Sequence, residues 1–130
     1  MRPIIRRTAV AIATLVILIV GGAQAQSYPV KAIRIIAPFP AGTGPDVDTR
    51  NIVGELSRAL GQPVVVENRP GASGWIGIEA AARAAPDGYT LLIAGLSNLC
   101  VHPYLYSKLP YNVERDLAPI SLVGVLNMAL

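Results

Sequence analysis

The sequence predicts an α/β fold: a parallel sheet with helices on both faces. Short β-branched runs alternate with longer stretches of helical period, and Gly or Pro punctuates nearly every junction between them. Cys100 is the only cysteine, so no disulfide forms within the chain and the fold must rest on its hydrophobic core.

The first segment is not part of that fold. A basic start with Arg2, Arg6 and Arg7 precedes an apolar run from Ala9 to Val20, broken only by Thr14. Gly21-Gly22 and then Ala23-Gln24-Ala25 follow, which fits a small-x-small cleavage site. The run is shorter than the roughly 20 apolar residues of a membrane-spanning helix. Residues 1–25 are therefore expected to be a signal peptide, cleaved near Ala25 and directing export to the periplasm. An uncleaved anchor is the other reading of the same signals, and Arg6-Arg7 is a weak twin-arginine hint.

Removing the leader also removes the net charge. Of eleven basic residues three lie in it, leaving eight against eight acidic ones. A neutral mature chain gives no electrostatic reason to expect nucleic acid as a partner.

The elements then follow in order. Ile33-Arg34-Ile35-Ile36-Ala37 reads as a buried strand ended by Pro38-Phe39-Pro40. Asp46 to Leu60 reads as a helix, with Ile52, Val53, Leu56 and Leu60 on one face and an i,i+4 pair of Asp46 and Arg50. Gly61 is placed to end it in a left-handed turn. Pro63 to Glu67 is the second strand, and Asn68 to Gly74 is a loop. Trp75 to Ala85 is a second helix, apolar except for a stripe of Glu79 and Arg83. After the turn Pro86-Asp87-Gly88, Tyr89 to Ala94 is the third strand. A loop runs to His102, a short helical piece to Lys108, and Ile120 to Leu126 reads as a fourth strand. Tyr104, Tyr106 and Tyr111 are expected to pack the connecting segment against the sheet. The chain stops directly after the fourth strand, which reads as the end of a fragment.

In open parallel sheets ligands bind beyond the carboxyl ends of strands, where the strand order reverses. With order 2-1-3 that crevice lies between the loops Pro38–Pro45 and Gly95–His102. The first holds Ala41-Gly42-Thr43-Gly44-Pro45-Asp46, where glycine permits close approach and a helix start offers unpaired N–H groups. A small anion is the natural guest. Either Thr43 caps the helix with Asp46 in a capping box, or Gly44 is the cap and Pro45 the first helical residue. Asp46 is a ligand contact only if capping does not consume it. Ser97 and Asn98 are small polar residues suited to a carboxylate.

Other chemistries lack their parts. Gly42-x-Gly44 is no dinucleotide fingerprint, because Val47 stands at the third glycine position. Cys100 and His102 lack further metal ligands and a third orienting group, so neither a zinc site nor a thiol nucleophile is supported, and Cys100 reads as structural. Gly71-Ala72-Ser73-Gly74 lacks the glycine two residues after the serine that a nucleophile elbow needs. Trp75 is read as packing rather than stacking on a ligand. No cofactor is implied.

Several runs together resemble a known family. They are Tyr28-Pro29, Lys31, Ile33-Arg34; Pro38-Phe39-Pro40-Ala41-Gly42 with Asp46; and Leu60-Gly61-Gln62-Pro63 through Asn68-Arg69-Pro70-Gly71-Ala72. Ile76-Gly77, Ala84 to Leu92, Leu109-Pro110-Tyr111 and Asp116 to Ser121 continue the series. The chain is similar to the Bug family, the extracytoplasmic solute receptors of tripartite tricarboxylate transporters. The resemblance implies a two-lobed, type II periplasmic-binding-protein fold, monomeric when complete, with residues 26–130 as the N-terminal part of the first lobe. It implies a receptor rather than an enzyme, small di- or tricarboxylates as ligands, and the membrane subunits of the transporter as partners. By position it assigns ligand contact to Phe39, Ala41, Gly42, Thr43, Asp46, Ser97 and Asn98. Against the family pattern, Thr43 stands for the usual glycine, Pro45 for threonine or serine, and Trp75 and His102 each for asparagine. Other readings of the chain are a ligand-sensing receptor for a membrane signalling partner, a non-functional truncated product, and a secreted hydrolase built on the first loop.

Overall fold

A computed structural model describes residues 27–124. The predicted leader and the last residues of the predicted fourth strand lie outside this range.

Three parallel strands form the sheet, in the order β2-β1-β3: β1 (Ile33–Ala37), β2 (Val64–Asn68) and β3 (Thr90–Leu92). Ile33 lies opposite Val64 and Ala37 opposite Asn68, while Arg34 to Ile36 lie opposite Thr90 to Leu92. The predicted order and the parallel pairing are both present. β3 is shorter than the sequence suggests, although Tyr89 O and Ile93 N extend its bonding to Arg34 N and Ile36 O at 2.9 and 3.0 Å.

Two helices cover the sheet. Helix α1 (Gly44–Leu60) starts two residues before the predicted Asp46, because Pro45 is compatible with the first helical turn. It ends at Gly61 in the left-handed conformation, φ 65°, as the sequence requires. Its Val53, Leu56 and Leu60 pack on Ile33, Ile35 and Val64. Ile36, of opposite parity along β1, faces the other side of the sheet. There α2 (Trp75–Ala82) passes over β1 and β3, with Ile78 fully buried. Helix α2 stops short of the predicted Ala85, and a 3₁₀ turn, Ala72–Gly74, leads into it where a loop is predicted.

Gly77 explains how closely α2 approaches. A methyl there would lie 2.8 Å from Arg69 O and 2.9 Å from Pro38 Cβ, so only glycine fits without a shift. This contact fastens the start of α2 against the carboxyl end of β1.

The last third departs most from the sequence reading. The predicted loop up to His102 contains a π-helical turn, Ser97–Val101, which runs directly into α3 (His102–Leu105). Pro103 has no N–H to give to a carbonyl four residues back, so the helical ladder changes register where it enters. A further short helix, α4 (Val113–Asp116), was not predicted. Asn112 caps it by accepting from Arg115 N at 2.9 Å. Residues 120–124 form no strand; Ile120 and Leu122 are each 79% exposed. Apolar β-branched sequence makes a strand only where a neighbour supplies a ladder, and none does so among the described residues. Of the three tyrosines expected to pack, Tyr111 is buried, but Tyr104 points into solvent and Tyr106 is partly exposed.

Candidate functional site

The strand order β2-β1-β3 reverses at β1, and in such sheets a ligand is sought beyond the carboxyl ends of β1 and β3. The candidate residues sit on the two loops that leave β1 and β3 at this end of the sheet. Pro40, Ala41 and Gly42 on the first loop and Ser97 on the other are exposed, so this end of the sheet is an open shelf.

Asp46 organises the first side. It is 1% exposed, and three donors fill its carboxylate. Oδ2 accepts from Gly42 N at 2.8 Å and from Arg50 Nε at 2.9 Å, while Oδ1 accepts from Asn68 Nδ2 at 2.7 Å. The bonds from Arg50, Asn68 and Gly42 hold the carboxyl well below the usual carboxylate range, against the opposing effect of burial. Neither predicted cap is formed as drawn. Thr43 is the cap residue, in extended conformation, but its hydroxyl donates to Pro40 O at 2.8 Å rather than accepting from the helix. Asp46 binds the N–H of Gly42 instead of that of Thr43. Charge and geometry favour the choice, since Gly42, at φ 80°, turns its N–H inward toward the acid.

Each predicted site residue can now be placed. Phe39 offers its carbonyl to Asn68 Nδ2 at 3.2 Å. The N–H of Gly42 is committed to Asp46, so Gly42 supplies the shape of the loop. Ala41 and Gly44 keep their N–H groups at the start of α1, beside the partial positive charge of a 17-residue helix. Pro45 removes one donor from this turn. Ser97 opens the π-helical turn and is exposed; Asn98 is buried, with its Nδ2 donating to Ser73 O at 2.8 Å. Tyr111 donates its hydroxyl proton to Asn98 O at 3.0 Å, fixing the turn from below.

The sequence reading missed the third loop, between β2 and α2. A methyl on Gly74 would lie 3.0 Å from Asn98 Nδ2 and 3.3 Å from Pro38 Cβ, so all three loops meet around Pro38. The small-residue run Gly71-Ala72-Ser73-Gly74 was the available signal. Beside it, Trp75 Nε1 donates to His102 Nδ1 at 3.2 Å, and Tyr106 packs edge-on against Trp75 at 4.7 Å. Trp75 therefore packs, as predicted. His102 is buried against Trp75, while Cys100 is exposed, so Cys100 is no part of the core. No group of metal-ligating side chains occurs among the described residues.

A cavity of about 390 Å³ lies at the amino ends of the strands, lined by Tyr28, Lys31, Asp87 and Tyr89 among others. Its polar groups satisfy one another: Lys31 pairs with Asp87 at 3.2 Å and lies over the Tyr89 ring. The opposite end of the sheet, with unpaired backbone donors, is the better place for a ligand.

A parallel sheet of this order, with a helix N-terminus at its carboxyl end, is common to many α/β proteins; likeness to solved periplasmic binding proteins places the chain in that class. Within them the chain belongs to the Bug family of tripartite tricarboxylate transporter receptors. Residues 49–130 match the family described as "Tripartite tricarboxylate transporter family receptor". Protein BugT of Bordetella pertussis is 46% identical over 108 residues, 82% of this chain and 33% of that protein. A second relative, a UPF0065 protein of Bordetella bronchiseptica, is 45% identical over 124 residues, 95% of this chain and 37% of its own length. Among solved structures, MatC from Rhodopseudomonas palustris with bound malate superposes with a TM-score of 0.70 at 35% identity, over 74% of this chain and 33% of MatC. A second R. palustris protein, solved with adipate, gives 0.64 at 30% identity, over 68% and 29%. The chain thus spans about a third of the length of the curated relatives it matches.

Proposed function

We propose that this chain carries one wall of the ligand site of an exported receptor for small di- or tricarboxylates, which delivers them to the membrane subunits of a tripartite transporter. The observation that carries this reading is the start of α1. A loop clamped by Asp46 carries the backbone N–H groups of Ala41 and Gly44 at the positive end of the longest helix among the described residues. Such a site neutralises a carboxylate without a buried cation. The malate and adipate in two structural neighbours belong to this chemical class.

On this reading residues 1–25 are removed on export and residues 26–130 belong to the first lobe of the receptor in the periplasm. The roles at the shelf divide. Ala41 and Gly44 present N–H groups, and that of Thr43, held by Pro40 O only at 3.4 Å, can turn to a ligand. Ser97 presents an exposed hydroxyl, and Phe39 ties the loop to Asn68 through its carbonyl. Gly42, Asp46 and Asn98 shape the loops that carry them.

Titration of ¹⁵N-labelled protein with malate and with adipate tests the reading. The amides of Ala41, Gly44 and Ser97 should shift together and saturate, and Ser97→Ala should weaken saturation several-fold. Shifts confined to other regions, or none at all, would count against it. The amino terminus of the periplasmic product should begin near Gln26.

A further inference from the structure

Asn68 is the last residue of β2, on the edge strand of the sheet farthest from β3. It has no place among the predicted ligand contacts, yet its amide is the hub of the network beneath the shelf. Nδ2 donates to two acceptors on different elements: Asp46 Oδ1 on α1 at 2.7 Å and Phe39 O in the loop after β1 at 3.2 Å. Its Oδ1 accepts from Arg50 Nη2 at 2.8 Å. The orientation of the amide is therefore fixed. A guanidinium can only donate and a carboxylate only accept, so a flipped amide would set donor against donor and acceptor against acceptor. Arg50 closes the ring through its Nε bond to Asp46.

We propose that Asn68 is a positioning residue for the anion-binding loop: through Asp46 it holds the N–H of Gly42 inward, and so leaves the neighbouring N–H groups of Ala41 and Gly44 facing the shelf. The inference rests on the reading of that shelf as a carboxylate site, but its geometric part stands in the ligand-free protein. If Asn68 is lost, Asp46 loses one of its three donors and Phe39 O loses its partner, so the loop after β1 is no longer tied to β2 and the bond from Gly42 N to Asp46 opens more readily. The charged groups facing Asn68 are Asp46 and Arg50 on α1. Glu67 and Arg69, its neighbours in sequence, pair with each other.

Asn68→Asp gives the sharpest test, since it is nearly isosteric and exchanges the donor for an acceptor. When ionised, the new carboxyl repels Asp46; when protonated, it can again donate to it. Amide hydrogen exchange at Gly42, expressed as a protection factor, should fall at least tenfold in this variant at pH 8 and recover most of that loss at pH 5. Asn68→Ala should lower protection equally at both pH values. Arg50→Gln, at a half-exposed side chain that leaves β2 intact, should lower it by a smaller factor. Malate titrations on the same samples should follow the exchange: a midpoint raised at least tenfold at pH 8 and returning toward the wild-type value, measured at the same pH, at pH 5. Unchanged Gly42 protection in all three variants overturns the proposal. So does a loss in Asn68→Asp that is the same at both pH values, since this would mark a merely structural residue. If wild-type protein binds neither malate nor adipate while the exchange pattern is as expected, the carboxylate reading fails and the positioning role stands.

Discussion

Asp46 shows what a single side chain can and cannot disclose in sequence. Its pair with Arg50 is legible because the two lie four residues apart on one helix. Its bond to Asn68 spans 22 residues, and only the register of β1 with β2 creates it. The low pKa has a consequence for stability. A carboxyl held low in the folded state contributes stability that is full above its unfolded value, near pH 4, and is lost as pH falls through the depressed folded value. The wild-type melting temperature should therefore fall on acidification below about pH 4. Glu67 and Asp87 are also held low by their partners and add to that decline. Asp46→Asn should melt lower at neutral pH and show a shallower acid limb, and the difference between the two curves isolates Asp46. Trp75 makes a second prediction at this scale. Its indole N–H is the donor to buried His102 Nδ1, which places the proton of the neutral ring on Nε2. Trp75→Phe keeps an edge contact with Tyr106 but orphans that nitrogen, at a cost of about 1–2 kcal/mol in urea unfolding. A change much below this would mean that water replaces the lost donor.

Elements were legible where a local signal decided them. The β-branched runs of β1 and β2, the helical period of α1 and the glycine at its end all act within a few residues, and each appears nearly where expected. Longer-range effects decided the rest. The run from Ile120 has strand-like composition, but composition cannot supply a neighbouring strand. The turn at Ser97–Val101 has no amphipathic period; Tyr111 and Ser73 hold it from outside. α4 carried a readable signal in Asn112 and Asp116: Asn112 Oδ1 accepts from Arg115 N, and Asp116 Oδ2 accepts from Asn112 N. Two glycines measure the difference between packing and propensity. Gly54 is an exposed interior residue of α1, and a methyl added there would meet nothing within 4 Å, so Gly54→Ala should stabilise by about 0.5–1 kcal/mol. Gly77→Ala forces a methyl against Arg69 O and Pro38, and should destabilise by about 1–3 kcal/mol. Thermal melts of the two variants should move in opposite directions.

At the scale of the whole molecule, one wall of a site must be weighed against the affinity that a receptor needs. On the proposed reading the shelf offers a carboxylate a helix terminus, a few N–H groups and a serine hydroxyl, all open to water. Open contacts of this kind are worth little, because each hydrogen bond to ligand replaces one to solvent. Tight sites bury most of their ligand, which an open shelf does not do. The described residues also leave the apolar side chains of Leu96, Tyr104, Leu105, Ile120 and Leu122 largely exposed, which favours self-association. Residues 26–130 prepared as a separate polypeptide should therefore bind malate or adipate no more tightly than about millimolar, near −4 kcal/mol. They should also associate at high concentration, an effect reduced by replacing Ile120 and Leu122 with asparagine. A family member of the relatives' full length should bind far more tightly, because closure of a second wall excludes water from the same N–H groups and strengthens each contact. Calorimetry and sedimentation on the separate polypeptide check both statements. Micromolar binding by a monomeric, cooperatively melting 26–130 would show instead that the preorganised loop suffices, and that the second wall adds selectivity rather than affinity.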